Sequence, residues 1–178
     1  MNRNSSRKIY SIFNRYILIL ILGLGDLVLF YLLFTKPTVL FSNFLLNLVS
    51  PTILAGNSIL FKETLISLIP ACIAGSAFYL LTILALSIPN IKIPKRITLL
   101  GFLFITLFLF NVLRIFVLAL INRMDLFNAV HLFTWYFITT AFVIIIWFVA
   151  VKLFKIKDIP IYTDAKYLFS YIKPKKKK

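Results

Sequence analysis

Four apolar runs, each of about twenty residues or more, set what this chain can fold into, because that length is what an α-helix needs to cross a bilayer. They extend from about Tyr16 to Phe34, from Thr64 to Ile88, from Ile97 to Ile121 and from Asn128 to Val151. With 61% hydrophobic residues and 19 Phe in 178 positions, the chain has too little polar sequence to surround a water-soluble core. A transmembrane barrel would show short alternating segments, and none is visible. The expectation is therefore an all-α fold, a polytopic transmembrane helical bundle of about four spanning helices. The stretch 35–63 is apolar but interrupted by Pro37, Asn43, Asn47, Pro51, Gly56 and Asn57, which predicts an interfacial or re-entrant segment. Residues 1–155 then make one membrane domain and residues 156–178 a basic cytoplasmic tail.

The net charge of +15 raises nucleic acid as a partner, but the basic residues flank the apolar runs, which points to topology and anionic headgroups instead. Arg3, Arg7, Lys8 and Arg15 precede the first run; Lys92, Lys95 and Arg96 separate the second and third. The long series from Lys152 to Lys178 follows the fourth. Lys36, Lys62 and Arg123 are the only basic residues expected on the other side. The positive-inside rule then predicts a multi-pass cell-membrane protein with both termini cytoplasmic and 35–63 and 122–127 outside. A single cysteine excludes an internal disulfide framework and a Cys-based zinc site, and one His with few carboxylates offers no metal-ligand set. No cofactor is implied.

Three chemically capable residues fall in the outer parts of successive spans under this topology. Cys72 follows Pro70, a residue favoured at the first helical position, so a helix starting there holds Cys72 in its first turn, where amide donors favour a thiolate. Gly75 leaves room beside the sulfur for a backbone to approach. Arg114 lies seven residues before Ile121 in the third span, about 10 Å below its outer end. Asn111, three residues earlier, shares its face and turns it towards the bundle. Asp26 in the first span is expected at a similar depth, about 12 Å below the surface, as an ion-pair partner for Arg114. His131 opens the fourth span. Together the three allow a thiolate nucleophile (Cys72), a general acid–base (His131) and an oxyanion or thiolate stabiliser (Arg114).

This pattern resembles the exosortase/archaeosortase membrane transpeptidases. The resemblance rests on Pro70-Ala71-Cys72-Ile73-Ala74-Gly75, on Asn111-Val112-Leu113-Arg114-Ile115 and on His131, in that order on consecutive spans. It covers about Ile69 to Trp147, and the chain looks like a minimal archaeosortase-like core. The family usually has Ser or Thr and then Gly directly after the cysteine, whereas Ile73 and Ala74 precede Gly75 here. What the resemblance implies is a cysteine peptidase/transpeptidase that cleaves C-terminal transmembrane sorting signals of secreted proteins at the outer face. The released acyl group passes to a lipid, another amine or water. The competing reading is a non-enzymatic four-helix scaffold, lipid-binding protein or transporter subunit, in which Asp26 and Arg114 form an assembly pair.

Overall fold

The computed structural model describes residues 3–121 and 139–172. These form seven helices and one sheet, in the order α1 (Arg3–Gly23), α2 (Val28–Asn47), β1 (Thr52–Ala55), β2 (Ser58–Phe61), β3 (Thr64–Ser67), α3 (Pro70–Ile73), α4 (Gly75–Leu86), α5 (Ile93–Leu120), α6 (Thr139–Leu153) and α7 (Tyr162–Ile172). The fold is mostly helical. Two helices, α2 with 20 residues and α5 with 28, are long and apolar enough to cross a membrane. The apolar helices α4 and α6 have 12 and 15 described residues and fall short of that length.

The all-α expectation is corrected by a three-stranded sheet, and the helices depart from the expected apolar runs at three places. The first run is not continuous: Gly25, Asp26 and Leu27 all take positive φ, at 73°, 52° and 62°, and separate α1 from α2. Glycine pays no steric penalty there and aspartate a reduced one, so the break follows from Gly-Asp inside an apolar run. The expected interfacial segment 35–63 is instead the second half of α2, carried through Pro37, followed by β1 and β2. The second run loses its first residues to β3, and the helix begins only at Pro70. Even then it is interrupted, because Ala74 adopts φ 60° and divides α3 from α4.

The three strands pair antiparallel in the order β1-β2-β3, with Ile59 opposite Leu54 and Ile66. Period-two alternation puts Ile59 and Phe61 on one face of β2, both buried. They close over Leu46 of α2 and Ile115 of α5, in a cluster that also takes Val39 and Leu68. The β2–β3 turn is the two residues Lys62 and Glu63, both at positive φ, the geometry that matches strand twist in a tight hairpin.

Helix α5 is the centre of the molecule and packs against α2, α4 and α6. Its inward row of Leu99, Leu103 and Leu107 meets Phe78, Leu81 and Ala85 of α4 and Val143, Ile146 and Ala150 of α6. Phe34 of α2 stacks on Phe78 with ring centroids 3.7 Å apart, and Phe104 meets both rings edge-on. Towards the outside, Leu32, Ile105 and Phe148 are 74%, 62% and 67% exposed, an apolar exterior suited to lipid rather than water. Gly23 is the point where α1 lies on α4: a Cβ there would collide with the Tyr79 ring, whose hydroxyl donates to the Ile19 carbonyl at 2.9 Å.

At the end of the bundle opposite the sheet, α7 is pinned to α1. Arg15 Nη2 contacts both carboxylate oxygens of Asp164, at 2.9 and 2.8 Å, while Nη1 donates to the Leu86 carbonyl at 3.1 Å. Both side chains are nearly fully buried. The segment 156–178, expected as a basic cytoplasmic tail, includes a helix docked on α1. Removing one member of a buried pair strands the other charge, at a cost of about 3–5 kcal/mol. Asp164→Ala is expected to lower the unfolding midpoint of the detergent-solubilised protein and to expose α7 to trypsin. The reversed pair Arg15→Asp with Asp164→Arg should recover part of the loss; an unchanged melting curve and digest for Asp164→Ala would contradict this role.

Candidate functional site

Under the sheet, the chain passes from β3 through α3 into α4 and places Cys72, Ala74 and Gly75 against α2 and α5. Ile69 is extended and Pro70 occupies the first turn of α3, so the helix starts at the proline. Cys72 is partly buried, and its side chain packs with Ile66, Phe116 and Ala119 against the apolar cluster beneath the sheet. From α5, Asn111 Nδ2 donates to the Cys72 carbonyl at 2.8 Å. That bond satisfies one of the carbonyls left open where α3 ends after a single turn.

Arg114, three residues further along α5, is 8% exposed. Its Nη1 donates to Thr139 Oγ1 of α6 at 2.7 Å, and its Nε is buried with no hydrogen-bond partner. The Arg114 side chain sits beside the α3–α4 break that follows Cys72. It forms part of the wall of a 240 Å³ cavity together with Tyr31, Ala71, Gly75, Ser76 and Thr139. Cys72 does not line that cavity, although Ala71 and Ala74 on either side of it do. Asn111, Arg114 and Cys72 are thus brought together around the α3–α4 break, with the sulfur turned to the apolar side of it.

Two expectations about this region are corrected. Asp26 does not pair with Arg114: it sits exposed in the α1–α2 break, and the guanidinium is met by the Thr139 hydroxyl instead. The left-handed turn at Gly25–Leu27 displaced it from the helical face on which the pairing depended. Gly75 does make room, but for a ring rather than a backbone. A Cβ at Gly75 would lie 2.8 Å from Cε1 and Cζ of Tyr31. His131 lies outside the described residues. Among the described residues no group of His, Cys, Asp and Glu is arranged to hold a metal ion.

Sequence reasoning passed over Tyr31, Ser76 and Thr139. Each is a hydroxyl in an otherwise apolar run, a weak mark singly. Thr139-Thr140 is the clearest of them, since two adjacent hydroxyls interrupt the fourth run. In α2, Thr38 and Ser42 are fully buried with hydroxyls that have no hydrogen-bond partner, and they follow Tyr31 at i+7 and i+11 on the same helical face.

No protein-family model, curated protein or solved structure matches this chain.

Asn111→Leu keeps the volume of the side chain but removes the donor to Cys72. A part-buried carbonyl left without its partner costs about 1–3 kcal/mol. The variant is expected to melt lower in detergent and to leave α3 more open to proteolysis near Cys72; wild-type melting and digestion would show that the amide does not hold α3.

Proposed function

We propose that this chain is a cysteine-dependent membrane peptidase/transpeptidase that cuts C-terminal sorting signals of secreted proteins, as its resemblance to the exosortase/archaeosortase enzymes implies. The observation that carries the reading is the nearly buried Arg114, which lines one cavity with Ala71 and Ala74 on either side of Cys72. A thiol attacks carbonyls as its thiolate, and a neighbouring cation favours that form. Burying an arginine inside an apolar helix is costly, and such residues are retained mainly where they act.

In the proposed cycle, the Cys72 sulfur attacks the scissile carbonyl and the oxyanion formed turns to Arg114. His131 takes the thiol proton and returns it to the leaving amine as the C–N bond breaks. The thioester is then opened by an amine, from a lipid or another acceptor, or by water. Rotation about the single side-chain bond of Cys72 redirects the sulfur from the apolar cluster towards the cavity.

The proposed topology has four crossings: α1 with α2 as a broken first, α3 with α4 as the second, α5 as the third, and α6 with the segment before it as the fourth. Charge bias supports cytoplasmic termini and an outward sheet. A substrate helix reaches such a site sideways through lipid. The competing reading as a scaffold or lipid-binding protein has one observation in its favour, the packing of Cys72 among apolar side chains.

The test is a secreted reporter ending in a short motif, a transmembrane helix and a basic tail, co-expressed with the full chain. Such reporters are taken from the same genome's secreted proteins that share this C-terminal form. Cys72→Ala is expected to leave the reporter uncut while inserting normally. Arg114→Lys keeps charge but loses the planar donor fork, and should slow processing about a hundredfold. Full processing by Cys72→Ala would overturn the proposal and favour the scaffold.

A further inference from the structure

The wall of the Arg114 cavity mixes small apolar residues, Pro70, Ala71, Ala74 and Ala77, with a set of hydrogen-bond donors. Helix α4, 12 residues long, starts at Gly75 with no side-chain cap, and Gly75 and Ser76 line the cavity. The first amides of a helix have no partner within it and carry the positive end of the helix dipole. Arg114, 8% exposed, lines the same space with a buried Nε that has no hydrogen-bond partner. Tyr31 also lines it, as does Thr139, whose hydroxyl holds the Arg114 Nη1. Among the described residues, the only ion pair is Arg15 with Asp164, at the far end of the bundle, so no described carboxylate offsets the Arg114 charge.

A buried cation facing a helix N-terminus is the arrangement that binds oxyanions. We propose that this cavity is a binding site for a phosphate group. Donors on several sides, from Tyr31 of α2, the start of α4 and Arg114 of α5, suit a tetrahedral group with three available oxygens better than a planar carboxylate with two. The volume of 240 Å³ leaves room for the phosphate and a small substituent.

Tyr31 shows how the rest of such a ligand is housed. Its side chain also lines a second, larger hollow of 530 Å³ between α2 and the β1–β2 hairpin. That hollow is walled chiefly by Val28, Leu32, Val39, Leu40 and Leu54, with exposed Lys36 contributing the one charge. A phosphate carried on an apolar chain fits both spaces, with the headgroup at Arg114 and the chain along α2. A free phosphate fits the first space alone.

The inference does not rest on cysteine chemistry, because no Cys72 atom is needed to hold the ligand. It adds a condition to that chemistry: a bound phosphate and a Cys72 thiolate compete for the same guanidinium.

The test titrates the full chain, in phosphate-free maltoside micelles, with inorganic phosphate and separately with dihexanoyl phosphatidic acid, read by phosphorus NMR line broadening and by the unfolding midpoint. Both probes are expected to bind and to compete, the lipid more tightly. Arg114→Gln should weaken both by about tenfold or more. Arg114→Lys, which keeps the charge and lacks Nε, should weaken them less and serves if the Gln variant does not fold. Cys72→Ser should bind both probes at least as tightly as wild type does, since it removes the competing thiolate, which separates this result from the fate of the peptidase reading. Binding of inorganic phosphate without the lipid supports the site with a free anion as its ligand. Binding that survives Arg114→Gln and is lost instead in Lys92→Ala with Lys95→Ala would overturn the proposal, as would no binding of either probe.

Discussion

A guanidinium inside an apolar helix has to be solvated by the protein, and the half of this molecule nearest the sheet is arranged around that requirement. Arg114 projects from α5, the helix that packs against α2, α4 and α6. It donates to a threonine hydroxyl of α6, and it lines a small cavity together with the start of α4. Those partners come from different parts of the chain, so the charge also fixes how α4, α5 and α6 meet. The opposite end solves the same problem differently, with the Arg15 charge matched by Asp164.

The break at Ala74 is what makes the arrangement possible. An unbroken helix from Pro70 to Leu86 would have its amides satisfied internally by the level of Gly75. The left-handed residue at Ala74 starts a fresh helix there, whose first amides, those of Gly75 and Ser76, lie at the cavity that Arg114 lines. Gly75 then admits the Tyr31 ring, and the Tyr31 side chain lines both the cavity and the hollow along α2. Asn111 holds the short α3 in place through the Cys72 carbonyl. Backbone strain at one alanine is thus tied to a polar cluster, the setting in which such strain is usually kept.

Much of this was legible in the sequence, and the parts that were not have identifiable causes. The inward face carrying Asn111 and Arg114 follows from a spacing of three on a long helix, and the start of α3 from Pro70. The sheet was hidden because its four-residue strands are too short for alternation to show, and β3 runs on into an apolar run. The α1–α2 break was signalled by Gly23, Gly25 and Asp26, but a span of sufficient apolar length outweighed them in the reading. The pairing of Asp26 with Arg114 failed for that same reason, since depth estimates assume one continuous helix. The docking of α7 had no sequence mark beyond a single acidic residue in a basic tail. The Tyr31–Gly75 contact is a tertiary fit that periodicity does not contain.

The claim on which the account turns is that the Arg114 charge acts on Cys72. The most direct measurement is the rate at which a membrane-impermeant thiol reagent labels Cys72 in intact cells, compared between the wild-type chain and Arg114→Gln at equal expression. Labelling from outside is expected, slowed about tenfold or more by loss of the cation. Equal rates in the two proteins, or no labelling of the wild-type thiol from outside, would contradict it.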